Sequence, residues 1–553
     1  MPPAAVIGGF LVAALVLVPV GAPVAIHDDW VYARAVQVLV QDGRFELGDL
    51  TAATLVTQVA WGSVFAALFG FSFGVLRVST VVVAAIGGCG LFGLCREVGV
   101  SPRRAAAIVA LWLLNPLVFS VTSTFMTDMH YISWALVASW CFARYLRTGS
   151  PREGVGAAVA ATLAVLVRQQ GVVLLASAAL SVVLAGRDVA GGSSRRRWWP
   201  LVPPGVAFLA YHGGLLLTRG ELPPAQHLFA EALEKGGLSG AGALAWRLPF
   251  MHVVLIGASA IPLLAGLSRS AWTRHPTRRQ VVATASAFLL LEVGLLTFLH
   301  QHRYFPYGDE FTSAAGLGPA DLIGQRPSLI GPFVESSLSV CAVAAAFLAM
   351  ALVIRRVLTS AVPGRRFFAT PEGLVAAILL GQVAASALPS FLFLNGDGTL
   401  DRYLLPGLAF GLVLVGWATT EVRVRPGPLL VGLLLLASVS VAGTRDFLSF
   451  QSGVWRAADD LVRQGTPATD IDGGAAWGGW NTSDGSFLRH SARTPQGPWW
   501  LHLYAPLVTS RFVVSSSAHE AGYRLVRKVP YESPFSHRPR HVYVLRRVPT
   551  VGS

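Results

Sequence analysis

Two carboxylates stand side by side in this sequence, Asp28 and Asp29, just after an apolar run that ends near Ile26. Adjacent carboxylates repel each other, so the pKa of one rises unless a cation or a hydrogen-bond donor lies nearby. Such a pair suits general-base chemistry on a hydroxyl group. The same residues also fit a helix N-cap, in which Asp28 or Asp29 caps a helix running through Tyr32 and Val36. The local pattern leaves both interpretations open.

A third carboxylate, Asp128, lies in a very short polar segment between two apolar runs. An acid at that depth is costly unless it is paired or used, although it could also cap a helix starting near Met129. A divalent metal held by Asp28, Asp128 and His130 is chemically allowed, but three ligands are few. No cofactor is therefore certain.

Three further segments bring cationic groups close to apolar runs. Any one of these arginines could simply extend to lipid headgroups. Placed together with the acids, they suit a reaction in which a carboxylate deprotonates a hydroxyl nucleophile while cations hold a departing phosphate. The segments are Arg168-Gln169-Gln170, the run containing His300, His302, Arg303 and Tyr304, and Asp401-Arg402-Tyr403.

Other function classes lack their motifs. There is no glycine-rich phosphate loop followed by lysine, and no serine nucleophile elbow. The net charge of +14 comes from arginines in short blocks between apolar runs, which is not the pattern of a nucleic-acid-binding face. The four cysteines lie in apolar stretches and predict neither disulfides nor a zinc site.

The elements that position these residues are membrane helices. Of the 553 residues, 53% are hydrophobic and 13% are charged, which excludes both a single soluble domain and a disordered chain. Because a span needs about 20 apolar residues, the sequence predicts about thirteen spans. They lie near 4–26, 74–95, 104–121, 129–146, 154–168, 170–186, 200–218, 249–267, 280–299, 334–354, 371–389, 403–420 and 429–443.

Arginine-rich loops alternate with acidic ones, so the positive-inside rule places the amino terminus in the cytoplasm and the acidic loops outside. The expected fold is an all-α polytopic bundle over residues 1–443, integral to the plasma (inner) membrane. Its first outer loop, 27–73, carries interfacial helices, and a second, long outer loop spans 300–333. An odd number of spans leaves residues 444–553 outside. This tail is predicted to be a small soluble α+β domain, with a helix over Ser452–Gln464 and strands at Arg511–Ser515, Tyr523–Val529 and His541–Val548.

Four features occur in order along the chain: Asp28-Asp29 followed by Tyr32, Thr127-Asp128-Met129, Arg402-Tyr403-Leu404-Leu405-Pro406, and the outer tail. In these the chain resembles the GT-C superfamily of polyprenyl-phosphate-dependent glycosyltransferases. The similar group is the family 39-like one, which includes protein O-mannosyltransferases and lipid A aminoarabinose transferases.

The resemblance implies a role for each group of residues. Asp28 would be the catalytic base, Asp29 its acidic neighbour and Asp128 a second essential acid. One departure from the family is that Trp30 and Val31 stand where related enzymes often have a basic residue, so either the donor phosphate is bound from elsewhere or the donor differs. Substrate binding is assigned to Tyr32, His130, Arg168, Gln169 and Tyr403, and donor-phosphate binding to Arg402, Arg303 and His302.

The leading hypothesis is an inverting transfer of a sugar from a polyprenyl-phosphate donor to a hydroxyl of an extracytoplasmic acceptor. The acceptor could be a glycan, a lipid or a protein. A lipid-linked sugar flippase or transporter is the alternative, for which Arg77 and Glu292 are the candidate charges within the bilayer. A scaffold without chemistry of its own would leave the acid pair without a purpose.

Overall fold

The computed structural model describes residues 2–185, 198–268, 277–300, 310–360, 362, 364–390, 400–483 and 497–548. Most of these residues are helical. In chain order the α-helices of five or more residues are α1 (Pro3–Val16), α2 (Asp29–Asp42), α3 (Val56–Phe69), α4 (Phe73–Glu97), α5 (Pro102–Leu113), α6 (Pro116–Thr122), α7 (Thr127–Thr148), α8 (Pro151–Val165), α9 (Gly171–Ala185), α10 (Val202–Arg219), α11 (Pro224–Ala265), α12 (Arg278–His300), α13 (Pro332–Leu358), α14 (Pro371–Ala385), α15 (Leu405–Ala418), α16 (Pro426–Arg463), α17 (Gly474–Thr482) and α18 (Trp499–Leu503).

Several helices begin where the local sequence predicts a start. Proline suits the first helical turn because the amide it lacks would have no partner there. Between α5 and α6, the side chain of Asn115 accepts hydrogen bonds from the first amides of α6, and Pro116 follows it. This local signal bends the pair by 64°.

Each of the thirteen predicted spans overlaps at least one of these helices. Six described helices are long and apolar enough to cross a membrane, and the bent α5–α6 pair would make a seventh. These helices make the chain a multi-pass membrane protein. Several of the others, such as α1 with 14 residues and α8 with 15, are shorter than the usual crossing length. The count of thirteen therefore stays a prediction.

Helices α4 and α7 pack closely through small residues. A Cβ atom on Gly87 or Gly90 would overlap Ser133 or the backbone at Val137. Such glycines allow two backbones to approach each other, as in many membrane helix pairs. This contact fixes the start of α7, where Asp128 lies, against the bundle.

The C-terminal segment contains a four-stranded sheet in the order β3-β4-β6-β5. Its strands are β3 (Ile471–Asp472), β4 (Phe512–Ser515), β5 (Tyr523–Tyr531) and β6 (Arg540–Arg547). Earlier in the chain, two strands of two residues each, β1 (Thr312–Ser313) and β2 (Gly316–Leu317), form a separate antiparallel hairpin. Strands β3 and β4 are parallel, whereas the other pairs in the sheet are antiparallel. The three predicted strands thus coincide with β4, β5 and β6. The predicted Ser452–Gln464 helix is the end of α16, which runs without a break through the expected boundary at 443/444.

Arg77, a candidate transport residue, has a structural role. Its buried guanidinium donates hydrogen bonds to the carbonyls of Val20, Ala22 and Val24, in the non-helical segment after α1. These carbonyls have no helical partners, so the arginine stabilises the chain where it enters the first outer loop.

Candidate functional site

The first residue of the site, Asp28, lies at the N-cap position of α2, but its side chain makes no capping hydrogen bond. Instead, Oδ1 accepts a hydrogen bond of 2.6 Å from the hydroxyl of Tyr504, and Oδ2 lies 3.3 Å from Nη2 of Arg402. Burial raises the pKa of Asp28, but His27, Arg402 and the Tyr504 hydroxyl outweigh it and hold the pKa below its ordinary value. Asp28 is therefore a half-buried carboxylate that stays ionised.

Its neighbour Asp29 faces backbone amides. Oδ1 accepts a hydrogen bond of 2.6 Å from the amide of Ile26, and Oδ2 accepts one of 3.3 Å from the amide of Phe125. Burial raises the pKa of Asp29 to about 6, with Arg77 and the two amides opposing the rise. This geometry ties the start of α2 to the segment just before α7, so the two adjacent acids have different surroundings.

Arg402 lies between two carboxylates. Besides Asp28, it meets Glu310, whose Oε1 is 3.1 Å from its Nε. Burial raises the pKa of Glu310 to about 8, although Arg402 and His27 oppose this. Asp401 fixes the segment that carries Glu310, because its carboxylate accepts hydrogen bonds from both amides of Phe311 and Thr312 and from the Thr312 hydroxyl.

Two guanidinium groups contact the ring of Tyr403. Arg402 lies 5.3 Å and Arg168 lies 4.9 Å from the ring centroid, and Arg168 also pairs with Asp128 in the first turn of α7. Tyr32 is buried within electrostatic reach of both arginines and of Asp28, and burial raises its pKa. Two cations close to one aromatic ring form a site suited to a phosphate.

The remaining predicted residues do not contact this cluster through their polar atoms. His130 is buried against the ring of Phe125, and its Nδ1 lies 3.4 Å from the Met126 carbonyl oxygen. Gln169 donates to the carbonyl of Ala52. Their roles in substrate binding stay predictions. His302 and Arg303 lie outside the described residues.

The proposed metal ligands are not gathered into one site. Asp128 pairs with Arg168, Asp28 is bound by Tyr504 and Arg402, and His130 lies among apolar neighbours. Within the described ranges, no three His, Cys, Asp or Glu side chains form a group that could hold a metal ion. The described residues therefore do not fit the divalent metal site considered from the sequence.

Sequence reasoning assigned no role to several residues that complete the site. His27 and Asp401 are chain neighbours of predicted residues, and Glu310 lies within the long loop predicted at 300–333. Nothing in the local pattern distinguishes Asp321, which contacts His27, or Tyr504. Their contacts join segments far apart in the chain, which local patterns do not report.

Residues 59–210 match the family model described as dolichyl-phosphate-mannose-protein mannosyltransferase. This match confirms, over that part of the chain, the predicted resemblance to GT-C glycosyltransferases. It includes Asp128 and Arg168 but neither Asp28 nor Arg402. No curated protein matches the sequence significantly.

Several solved structures also match. The S. cerevisiae protein O-mannosyltransferase Pmt1-Pmt2 complex bound to the sugar donor is 13% identical, with a TM-score of 0.34, over 41% of this chain and 35% of that chain. The oligosaccharyltransferase AglB from Archaeoglobus fulgidus, in complex with an inhibitory peptide and a dolichol-phosphate, is 16% identical, with a TM-score of 0.41. The match covers 84% of this chain and 58% of that chain. ArnT from Cupriavidus metallidurans bound to undecaprenyl phosphate is 13% identical, with a TM-score of 0.38, and the match covers 100% of this chain and 98% of that chain. The chain thus spans about a third of the yeast protein and somewhat over half of the archaeal one.

Proposed function

We propose that this protein is a membrane glycosyltransferase that moves a sugar from a polyprenyl-phosphate donor to a hydroxyl of an extracytoplasmic acceptor. The observation that carries the proposal is the half-buried, ionised Asp28 beside Arg402, with Arg168 against the same Tyr403 ring that Arg402 contacts. A carboxylate that can act as a base, Asp28, therefore lies next to two arginines that can bind a phosphate, Arg402 and Arg168. The family match, whose description names a dolichyl-phosphate-mannose donor, supports the same class of donor.

The reaction follows from this arrangement as a single displacement. Asp28 accepts the proton of the acceptor hydroxyl, whose oxygen forms a bond to the anomeric carbon of the donor sugar. The bond from that carbon to the phosphate oxygen breaks, and the electron pair leaves with the polyprenyl phosphate. Arg402 and Arg168 stabilise the charge that develops on this leaving group. One displacement inverts the anomeric configuration.

Replacing the base tests this proposal. We expect Asp28→Asn to lower transfer or hydrolytic release of label from a radiolabelled polyprenyl-phosphate sugar by about 100-fold or more, since general-base catalysis contributes about 10²–10⁴-fold. Several donor sugars are tried with the purified protein in detergent, with water or a membrane extract as acceptor. Asp42→Asn is the matched control, because Asp42 is an exposed carboxylate at the other end of α2.

Full activity of Asp28→Asn would overturn the assignment of the base. An inactive wild-type protein that moves the labelled lipid across liposomes would favour the flippase, and neither activity would favour the scaffold.

A further inference from the structure

The side chain of His27 is enclosed by three carboxylates. Its Nδ1 lies 2.5 Å from Oδ2 of Asp321, while its Nε2 lies 3.4 Å from Oδ1 of Asp28 and 3.3 Å from Oε1 of Glu310. The residue is only 7% exposed. Nδ1 therefore faces the carboxylate of Asp321 and Nε2 faces that of Asp28, and an imidazolium carries an N–H toward each of them whereas a neutral ring carries only one.

The backbone of His27 is in the left-handed region, with φ +53°. This conformation is uncommon for a residue with a Cβ atom, and it persists only where the surroundings hold it in place. The carboxylate of Asp29 bonds to the amide of Ile26 on the preceding side, and Asp321 holds the ring. The strained turn thus holds the His27 imidazole next to the carboxylate of Asp28, the proposed base.

Asp321 is itself anchored on the C-terminal segment. Its carbonyl accepts a hydrogen bond of 3.0 Å from the amide of Ala475, and two residues later the carbonyl of Ile323 accepts from the amide of Ser516 at 2.9 Å. The ring of Trp499 also packs edge-on against His27. The imidazole consequently lies between the tail and Asp28.

We propose that His27 is a positioning residue for the base, in which its imidazolium, anchored by Asp321, holds the Asp28 carboxylate ionised and oriented. The tail then takes part in catalysis by fixing Asp321, in addition to the direct hydrogen bond from Tyr504. This inference rests on the proposed glycosyl transfer, because it needs Asp28 to act as the base.

The charges around His27 give this role a pH signature. Burial lowers the pKa of His27, but Asp28 and Asp321 outweigh burial and the opposing charge of Arg402, and raise the pKa to about 9. Glu310 also lies against Nε2, and Asp29 is within electrostatic reach of His27. As the pH rises through about 9, His27 loses its proton and with it the ion pair with Asp28, so turnover should fall on the alkaline side.

The test is the pH dependence of kcat at saturating donor, measured by release of label, for the wild type, His27→Gln and Asp321→Asn. We expect a wild-type alkaline limb near pH 9. Asp321→Asn should move that limb down by about one pH unit, because it removes an opposite charge that raises the His27 pKa. His27→Gln should lower kcat by about tenfold or more, leave the donor KM within about twofold and remove the limb.

Thermal unfolding in detergent checks that each variant is folded, and Asp42→Asn should match the wild type throughout. The inference alone is overturned if an active wild type lacks the limb, or if His27→Gln keeps the wild-type kcat and limb. It is also overturned if Asp321→Asn leaves the limb in place. A wild type inactive with every donor would instead overturn the proposed function, and this inference with it.

Discussion

Arg402 shares its guanidinium between two carboxylates whose protonation differs. Asp28 is held ionised, whereas burial raises the pKa of Glu310 to about 8. At neutral pH Glu310 is therefore mostly protonated, and one side of Arg402 is left for an additional anion. A donor phosphate is such an anion, so the charge on Glu310 should set how well Arg402 binds the donor.

Glu310→Gln tests this competition. As the pH rises through about 8, Glu310 in the wild type loses its proton and competes with the phosphate for Arg402, so the donor KM should rise several-fold between pH 7 and pH 9. In Glu310→Gln the KM should stay nearly constant and be about threefold to tenfold lower than that of the wild type at pH 9, which corresponds to about 1 kcal/mol. Donor KM values at pH 7 and 9 decide this. A parallel rise in both proteins would contradict it.

At the scale of elements, the contact between α2 and α17 joins the base to the tail. Gly479 in α17 lies directly against the indole of Trp30 in the first turn of α2. Trp30 in turn contacts the ring of Tyr504, with centroids 5.4 Å apart, and Tyr504 donates to Asp28. A change at this helix contact should therefore reach the catalytic carboxylate.

Two neighbouring glycines of α17 provide a matched comparison. A Cβ on Gly479 would overlap Trp30, whereas a Cβ on Gly478 would make an ordinary 3.5 Å contact with the Cβ of Ala505. We expect Gly479→Ala to destabilise the protein by about 1–3 kcal/mol through overpacking and to slow sugar transfer. Gly478→Ala should be neutral or slightly stabilising, since alanine favours a helix. Thermal unfolding in detergent measures both effects. Equal melting temperatures would show that the contact tolerates the methyl group.

At the scale of the whole molecule, α16 connects the membrane bundle to the tail. Its 38 residues extend about 57 Å at 1.5 Å per residue, which exceeds the hydrocarbon thickness of about 30 Å. Its later half, including Trp455 and Leu461, is buried, and α16 contacts strands β5 and β6. The helix thus links the preceding apolar helices directly to the C-terminal strands.

The orientation predicted from the arginine-rich loops can be tested with single cysteines. Glu532 directly follows β5. Arg103 lies in the first turn of α5, next to a loop predicted to be cytoplasmic, and both side chains are exposed. We expect a membrane-impermeant maleimide to label Glu532→Cys in intact cells and Arg103→Cys only after permeabilisation. The parent chain, with its four native cysteines, sets the background. Labelling of both positions from the same side would contradict the topology.

The membrane character and the approximate positions of the helices could be predicted from the sequence because both depend on contiguous residues. Apolar runs, prolines at helix starts and the Asn115-Pro116 break are local signals, and most of them coincide with helices. The number of crossings could not be fixed this way, since α1 and α8, with 14 and 15 residues, are too short to span a bilayer by their length alone. The C-terminal strands were predicted for the same local reason, from short alternating runs.

The sequence also determined which residue types lie at the acidic outer loops, and it singled out Asp28, Asp128, Arg168 and Arg402. Only the tertiary structure decided how they pair. Asp28 meets Arg402 across 374 residues of chain and Tyr504 across 476, and these contacts keep one acid of the adjacent pair ionised while backbone amides bind the other. The charge and position of a buried carboxylate depend on the groups that folding brings within a few ångströms of it, which its chain neighbours alone do not specify.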